Sequence, residues 1–224
     1  MSKTSEGKPL FIVFEGGEGA GKTTQARLLG ERLQALGRKV LLTREPGGTA
    51  LGERLREIIL RPSNERRDPR PESHLTSAAE FLLFLAARAQ LIAEAIRPAL
   101  GEGSIVVCDR FSASTIAYQG YGRGLELNAV RTACDLATDS LRPDLSILLD
   151  LTVDEGLARK NDGTERDAIG QESRDFHERV RIGFKELVAA EPRRWLVVDA
   201  KLPIEHVARL IWERVRGLLD EAGS

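Results

Sequence analysis

The stretch Gly16-Gly17-Glu18-Gly19-Ala20-Gly21-Lys22-Thr23-Thr24 narrows the possible folds more than any other part of the chain. It fits G-x-x-x-x-G-K-[ST], with Gly16, Gly21, Lys22 and Thr23 at the required positions. Glycines let successive backbone N–H groups turn inward around anionic oxygens, where side chains would block approach. An apolar run precedes the stretch and a helical pattern follows it, so it has to join a strand to a helix. A helix starting near Lys22 aims the positive end of its dipole at the same anion. In that setting Gly16, Gly17, Glu18, Gly19, Ala20, Gly21, Lys22, Thr23 and Thr24 form a cradle for the polyphosphate of a nucleotide. Lys22 reaches its outer phosphates, and the Thr23 hydroxyl holds Mg²⁺.

The rest of the chain repeats the strand-then-helix order. Leu10 to Glu15, Lys39 to Thr43, Ser104 to Asp109, Leu145 to Leu151 and Arg194 to Ala200 are short runs rich in strand-forming residues. They are continuously apolar rather than alternating, which predicts strands of a parallel sheet buried on both faces. Between them, residues 23–37 carry apolar side chains at helical spacing and stop at Gly37. Residues 76–100 read as one long helix ended by Pro98, and residues 203–223 as an amphipathic helix with a proline start and a glycine stop. The class is α/β, with ligands expected at the carboxyl ends of the strands. Arg61 to His74 is rich in proline and charge and is expected to be an exposed excursion. Arg159 to Ser173 is polar and glycine-punctuated, as lids and binding loops often are.

Composition excludes several function classes. A formal net charge of −1 gives no overall basic field for nucleic acid or an anionic membrane surface. Cys108 and Cys134 are too few for a disulfide framework and lack metal-site spacing, which fits a reducing cytoplasm. The uninterrupted apolar run from Phe81 to Ala87 is far too short to span a bilayer, and the first nine residues carry no apolar segment of the signal-peptide kind. Residues 1–9 read as a flexible N-terminus and residues 10–224 as a single domain.

A phosphate cradle alone leaves GTPases, ATPases, helicases and small-molecule kinases open. The chain has no good N-K-x-D guanine signature, and it lacks the length or basic track of a motor. Three further stretches suit a second, anionic, aromatic ligand. In "TREPGGT" (Thr43 to Thr49), Arg44 and Glu45 emerge at a strand's carboxyl end, and Pro46-Gly47-Gly48 forces a turn whose Glu45–Pro46 bond could be of either isomer. In the helix around residues 81–88, Phe84 and Arg88 are four apart and share a face. A ring beside a guanidinium can stack a base and bond its carbonyl edge, although an apolar helix residue such as Phe84 more often serves the core. In "CDRFSASTIAYQGYGRG", Asp109 can order Mg²⁺ or its waters and Arg110 can bridge two phosphates, while Tyr118 and Gln119 add sugar- or base-facing groups.

Taken in order and spacing, "EGGEGAGKTT", "TREPGGT", the "LLF…AAR" helix and "DRFSASTIAYQG" resemble the bacterial thymidylate kinases over nearly the whole chain, from about Phe11 to Ala200. The resemblance implies a P-loop NTPase-like three-layer sandwich with a five-stranded parallel sheet, helices on both faces and a lid over about residues 159–173. It implies Mg²⁺-dependent transfer of the γ-phosphate of ATP to dTMP, and a homodimer. Position by position it places Glu18 near the acceptor sugar and metal, Phe84 on thymine and Arg88 at the base carbonyl. Arg110 falls between acceptor phosphate and donor chain, Ser114, Tyr118 and Gln119 around the base and deoxyribose, and Arg56 on the acceptor phosphate. Glu45 and Pro46 join the dTMP side, and Thr23 with Asp109 the metal. The neighbouring alternatives are a kinase for another nucleoside monophosphate and a non-enzymatic ATP-binding regulator.

Such transfer needs in-line alignment and positive charge more than covalent chemistry, and no general base, because the attacking phosphate oxygen is already ionised. Lys22, Arg110 and Mg²⁺ supply part of that charge. In the family the remaining arginine sits in the P-loop or in the lid. Here Gly19 and Ala20 follow Glu18, so the lid has to provide it. Arg159 matches a frequent family arginine at the lid's start. Further on the pattern departs, with Asp167-Ala168-Ile169-Gly170 where the family often has Asp-Arg-x-Glu, leaving Arg166 or Lys160 as substitutes.

Overall fold

The computed structural model describes residues 8–61, 75–160 and 167–221. Five strands, β1 (Leu10–Glu15), β2 (Val40–Arg44), β3 (Ile105–Asp109), β4 (Leu145–Asp150) and β5 (Trp195–Asp199), form one parallel sheet in the order β2-β3-β1-β4-β5. β1 therefore sits at the centre, and the chain leaves it in opposite directions along the sheet. Its carboxyl end lies at the crevice where ligands bind in open parallel sheets.

Side chains of β1 alternate between two cores. Leu10, Ile12 and Phe14 pack with Ile105, Val107, Ile147 and Leu149 against helices α1 (Lys22–Ala35) and α9 (Ile204–Glu221). Phe11 and Val13 face the other way, with Val106, Cys108, Leu91 and Ile96. Each such fully buried Phe or Ile contributes about 1.5–3 kcal/mol relative to exposure. The expectation of doubly buried strands holds for β1, β3 and β4. It fails for β2 and β5, which are the sheet edges: Leu42 is 46% and Val197 49% exposed. Apolar sequence alone does not distinguish an edge from a centre.

The helix ends follow local chemistry. Gly37, at φ +76°, closes α1 by donating to the Gln34 carbonyl, and Arg38 donates to Leu33, a Schellman arrangement. Pro98 does not end its helix. Helix α3 (Ser77–Leu91) passes into a π-wound turn, Ile92–Ile96, and continues as α4 (Arg97–Gly101). The widened turn bonds Arg97 N–H to Ile92 and accommodates the proline, which has no N–H to donate. The excursion expected over Arg61 to His74 and the glycine stop after α9 fall largely outside the described residues.

Helix α2 (Ala50–Leu60) lies beside α3. After β3 the chain forms a short helix, α5 (Ser112–Thr115), which continues as a π-wound segment, Ile116–Gly122. Helices α6 (Leu127–Thr138), α7 (Val153–Lys160) and α8 (Arg174–Ala190) follow. Helices α2, α3, α6 and α8 begin with side-chain caps from Thr49, Thr76, Glu126 and Ser173. Helix α1 begins at Gly21 with no side-chain cap, so its first N–H groups stay available. Among the described residues no helix is long and apolar enough to cross a membrane.

Candidate active site

A cleft of about 400 Å³ opens at the carboxyl edge of the sheet, between the β1–α1 loop on one side and α2, α3 and the π-wound segment on the other. The loop is bent by glycines. Gly19 has φ +67°, and a Cβ there would lie 2.2 Å from the Gly156 carbonyl oxygen. A Cβ on Gly156 would in turn lie 2.3 Å from the Glu18 carbonyl oxygen. The loop and α7 thus meet backbone to backbone, which brings the end of α7 to the cleft. Lys22 is buried and donates to the Gly17 carbonyl at 2.7 Å. Burial and the neighbouring Arg110 lower its pKa to about 8, and nearby phosphate oxygens would favour its charged form.

Thr23 donates its hydroxyl to Asp109 Oδ2 at 2.5 Å, and Asp109 Oδ1 is buried without a partner. A buried, unsatisfied carboxylate oxygen beside a hydroxyl suits a hard divalent cation. Among the described residues no group of three or more His, Cys, Asp or Glu could hold a metal. A cation here would take its remaining ligands from phosphate and water, the usual condition for Mg²⁺.

Arg110 joins the two sides of the cleft. Its backbone is left-handed, φ +74°, and its N–H bonds to the Phe14 carbonyl. A non-glycine residue held there costs of order 1–3 kcal/mol. The guanidinium donates to Gly16 O at 3.2 Å and Glu18 Oε1 at 2.9 Å on the loop side. On the other side it donates to Ser114 Oγ and Tyr118 Oη, both at 3.2 Å. Burial alone would raise the Glu18 pKa, but Arg110, Lys22 and Lys160 outweigh it and hold the carboxyl well below the usual range.

The opposite wall is made of side chains. Glu45 follows β2 and has a cis bond to Pro46. Its Oε2 accepts from Arg88 Nε at 2.8 Å and Nη2 at 2.6 Å, a pair with 4% and 1% side-chain exposure. Burial pushes the Glu45 pKa up, while burial opposed by Glu45 itself leaves Arg88 above its ordinary value. Arg88 Nη2 also reaches Phe111 O and Thr115 Oγ1. Phe84 lies one turn before Arg88 and lines the same cleft. Arg56 donates to the Pro46 carbonyl at 3.0 Å, and burial with the nearby Arg44 lowers its pKa. Gln119 donates to Glu80, which also pairs with Arg123. Arg159 at the end of α7 donates to the Ala200 and Gly19 carbonyls, and Lys160 pairs with Glu18. Arg166 lies outside the described residues.

All the other residues singled out from the sequence line this cleft, except Gly16 and Gly17, whose carbonyls accept from Arg110 and Lys22. Four contributors went unnoticed. Glu15 bonds Phe111 N, Ser114 N and Ser114 Oγ beneath Arg110. Gly156 seats α7, Thr115 holds Arg88, and Ile169 packs near Phe84 and Tyr118. Of these only Gly156 carries a local signal, a glycine inside a helical pattern.

The family model for thymidylate kinase matches residues 14–211. The chain belongs to the thymidylate kinase family. A thymidylate kinase of a Synechococcus strain is 51% identical over 208 residues, 92% of this chain and 95% of that relative. Another, of Desulforudis audaxviator, is 49% identical over 213 residues, 95% of this chain and 92% of its own. A crystal structure of thymidylate kinase from Ehrlichia chaffeensis superposes with a TM-score of 0.73 at 34% identity, covering 93% of this chain and 98% of that one. A thymidylate kinase is a phosphotransferase, and this member has the P-loop NTPase fold.

Proposed function

We propose that this cleft transfers the γ-phosphate of ATP to dTMP, giving ADP and dTDP, with the polyphosphate on the β1–α1 loop and dTMP against α3 and the π-wound segment. The observation that carries the assignment of sides is the Arg110 guanidinium, which bonds the phosphate loop and the acceptor wall at once. The reaction joins two polyanions, so its main obstacle is charge.

Gly16 to Thr24 wrap the ATP phosphates with N–H groups and the uncapped start of α1. Thr23 and Asp109 hold Mg²⁺, which when bound neutralises phosphate charge. On the acceptor side Phe84 stacks the thymine, Arg88 and Gln119 face its polar edge, and Ser114, Tyr118, Glu45 and Pro46 shape the sugar pocket. Tyr118 crowds the place of a ribose 2′-hydroxyl. Arg56 and Arg110 hold the dTMP phosphate. An oxygen of that phosphate attacks the γ-phosphorus as the bond to the β–γ bridging oxygen breaks. Lys22 and Arg110 stabilise the transferring group from below, and Arg159 or Lys160 from the lid's start. Glu18 holds Arg110 and Lys160 in place until the substrates compete for them.

The working unit is a cytoplasmic homodimer of one-domain chains without a nucleic-acid partner. Leu51 and Ile58 of α2, Leu82 of α3 and Leu136 of α6 are exposed on three neighbouring helices, which supports a paired apolar face. The test is ATP turnover with dTMP, UMP, AMP and thymidine compared side by side. Highest kcat/KM for dTMP is expected. Preference for another acceptor overturns the substrate assignment, and ATP binding without transfer to any of them marks a regulator instead.

A further inference from the structure

Outside the groups that meet phosphate, one buried polar cluster is built to higher specification than packing requires. Glu80 of α3 is 6% exposed, and Gln119 of the π-wound segment is 1% exposed. Gln119 Nε2 donates to Glu80 Oε1 at 2.9 Å. Arg123 donates Nε to the same oxygen at 3.1 Å and Nη2 to Glu80 Oε2 at 2.8 Å. Its remaining Nη1 takes Glu172 at 2.5 Å, and its guanidinium lies 4.8 Å from the Phe176 ring centroid. Gln119 itself lines the cleft; Arg123 and Glu80 do not.

An amide side chain is ambiguous: turning it by half a rotation exchanges donor and acceptor. A carboxylate paired with arginine can only accept. Only the NH₂ end of Gln119 can therefore face Glu80, and its oxygen occupies the other arm of the amide.

We propose that Glu80, clamped by Arg123, sets the hydrogen-bond polarity of Gln119, so that the acceptor site reads a base edge with an N3–H donor and rejects an aminopyrimidine edge. Glu80 and Arg123 are positioning residues, acting through Gln119. The inference rests on the reading of Gln119 as a base-facing group. The discriminated pair is dTMP against 5-methyl-dCMP, which shares the methyl group and sugar but presents an N3 acceptor and an amino donor. Arg88, one turn after Phe84, retains part of the discrimination, since its guanidinium also only donates.

The experiment measures kcat/KM for both nucleotides in the full chain, its Glu80→Gln variant and its Gln119→Leu variant. Glu80→Gln replaces an acceptor-only group by one with an NH₂ of its own, so Gln119 is free to turn. The ratio of 5-methyl-dCMP to dTMP efficiency is expected to rise about tenfold or more, through KM rather than kcat. Being a ratio, it does not depend on the folded fraction, and a merely structural role would leave it unmoved. If Gln119→Leu raises the ratio and Glu80→Gln does not, the orienting role is overturned while the base-facing reading stands. If Gln119→Leu changes neither the ratio nor dTMP efficiency, the base-facing reading falls and the inference with it. Arg123→Lys, a milder change that replaces the fork by a single point charge, is expected to move the ratio the same way but less. It serves as the test if Glu80→Gln does not fold, and an unmoved ratio there also overturns the proposal.

Discussion

The two halves of the cleft are made by different means. The proposed phosphate side is nine consecutive residues, Gly16 to Thr24, offering backbone N–H groups with one lysine and the Thr23 hydroxyl. The proposed acceptor side draws Glu45 from the end of β2, Phe84 and Arg88 from α3, and Arg110, Tyr118 and Gln119 from the segment after β3, all lining the cleft. The first half is held by glycine geometry and a helix start. The second is held by buried ion pairs, so its cost of construction is desolvation rather than backbone strain. Arg110, which touches both sides, carries both costs: left-handed backbone and a partly buried charge.

That contrast implies different responses to mutation. The largest effect is expected for Glu45→Ala, which leaves the buried Arg88 guanidinium without its carboxylate. A loss of about 3–5 kcal/mol in urea unfolding is expected, together with loss of dTMP affinity. If stability stays within about 1 kcal/mol, the acceptor half does not depend on its ion pair as argued.

Lys22→Met comes next, and should do the opposite. Turnover is expected to fall about 10²–10³-fold, roughly 3–4 kcal/mol of transition-state stabilisation. Unfolding should change little or become harder, because the residue is a desolvated cation beside Arg110 in the free protein. A marked fall in melting temperature would erase the distinction between the halves.

Glu15 lies below the junction and links the comparison to pH. Burial raises its pKa from 4.5 to about 7, against the pull of Ser114 and Arg110. The unfolded chain loses this proton from about pH 4.5 upward, whereas the folded chain keeps it to about pH 7. The folded state binds more protons in that window, so this contribution to stability is present at low pH and lost as pH rises toward 7. Glu15→Gln, an isostere of the protonated acid, should flatten that part of the profile. Between pH 5 and 8 the parent protein should lose on the order of 1–3 kcal/mol more than the variant, read from urea midpoints. Parallel profiles would remove Glu15 as the source.

The smallest effect is expected for Tyr118→Phe. Its hydroxyl donates to Glu18 at 3.2 Å and accepts from Arg110 at 3.2 Å, both partly buried. Loss of those bonds should cost about 1 kcal/mol, some fivefold in kcat/KM for dTMP, with the KM for ATP little changed. An equal effect on both substrates would show that the halves are coupled through this hydroxyl.

How much of this was legible beforehand differs between the halves for the same reason that their construction differs. Gly16 to Thr24 are adjacent in sequence, and their chemistry depends on local dihedral angles and a helix start. The strand-helix alternation, the five runs and Gly37 were legible for the same reason, since each depends on neighbours within a few residues. Phe84 and Arg88 were legible as a pair from their spacing of four on one helix, and Arg110 and Tyr118 from their place after an apolar run, but which part of a nucleotide each meets came from family resemblance. Pro98 misled because a widened turn can absorb a proline, and the register of that turn depends on packing.

What the sequence determined by itself was the parallel α/β class and a glycine-rich loop joining β1 to α1, because glycine freedom and apolar continuity are properties of short segments. Only the tertiary structure decided that β2 and β5 are edges, and that Glu45 rather than solvent neutralises Arg88. It alone seats α7 on the β1–α1 loop through two glycines and turns Gln119 toward Glu80. Each of these is a contact between residues far apart in the chain, and the energy of burying a charge or an amide is set by what the fold brings to face it.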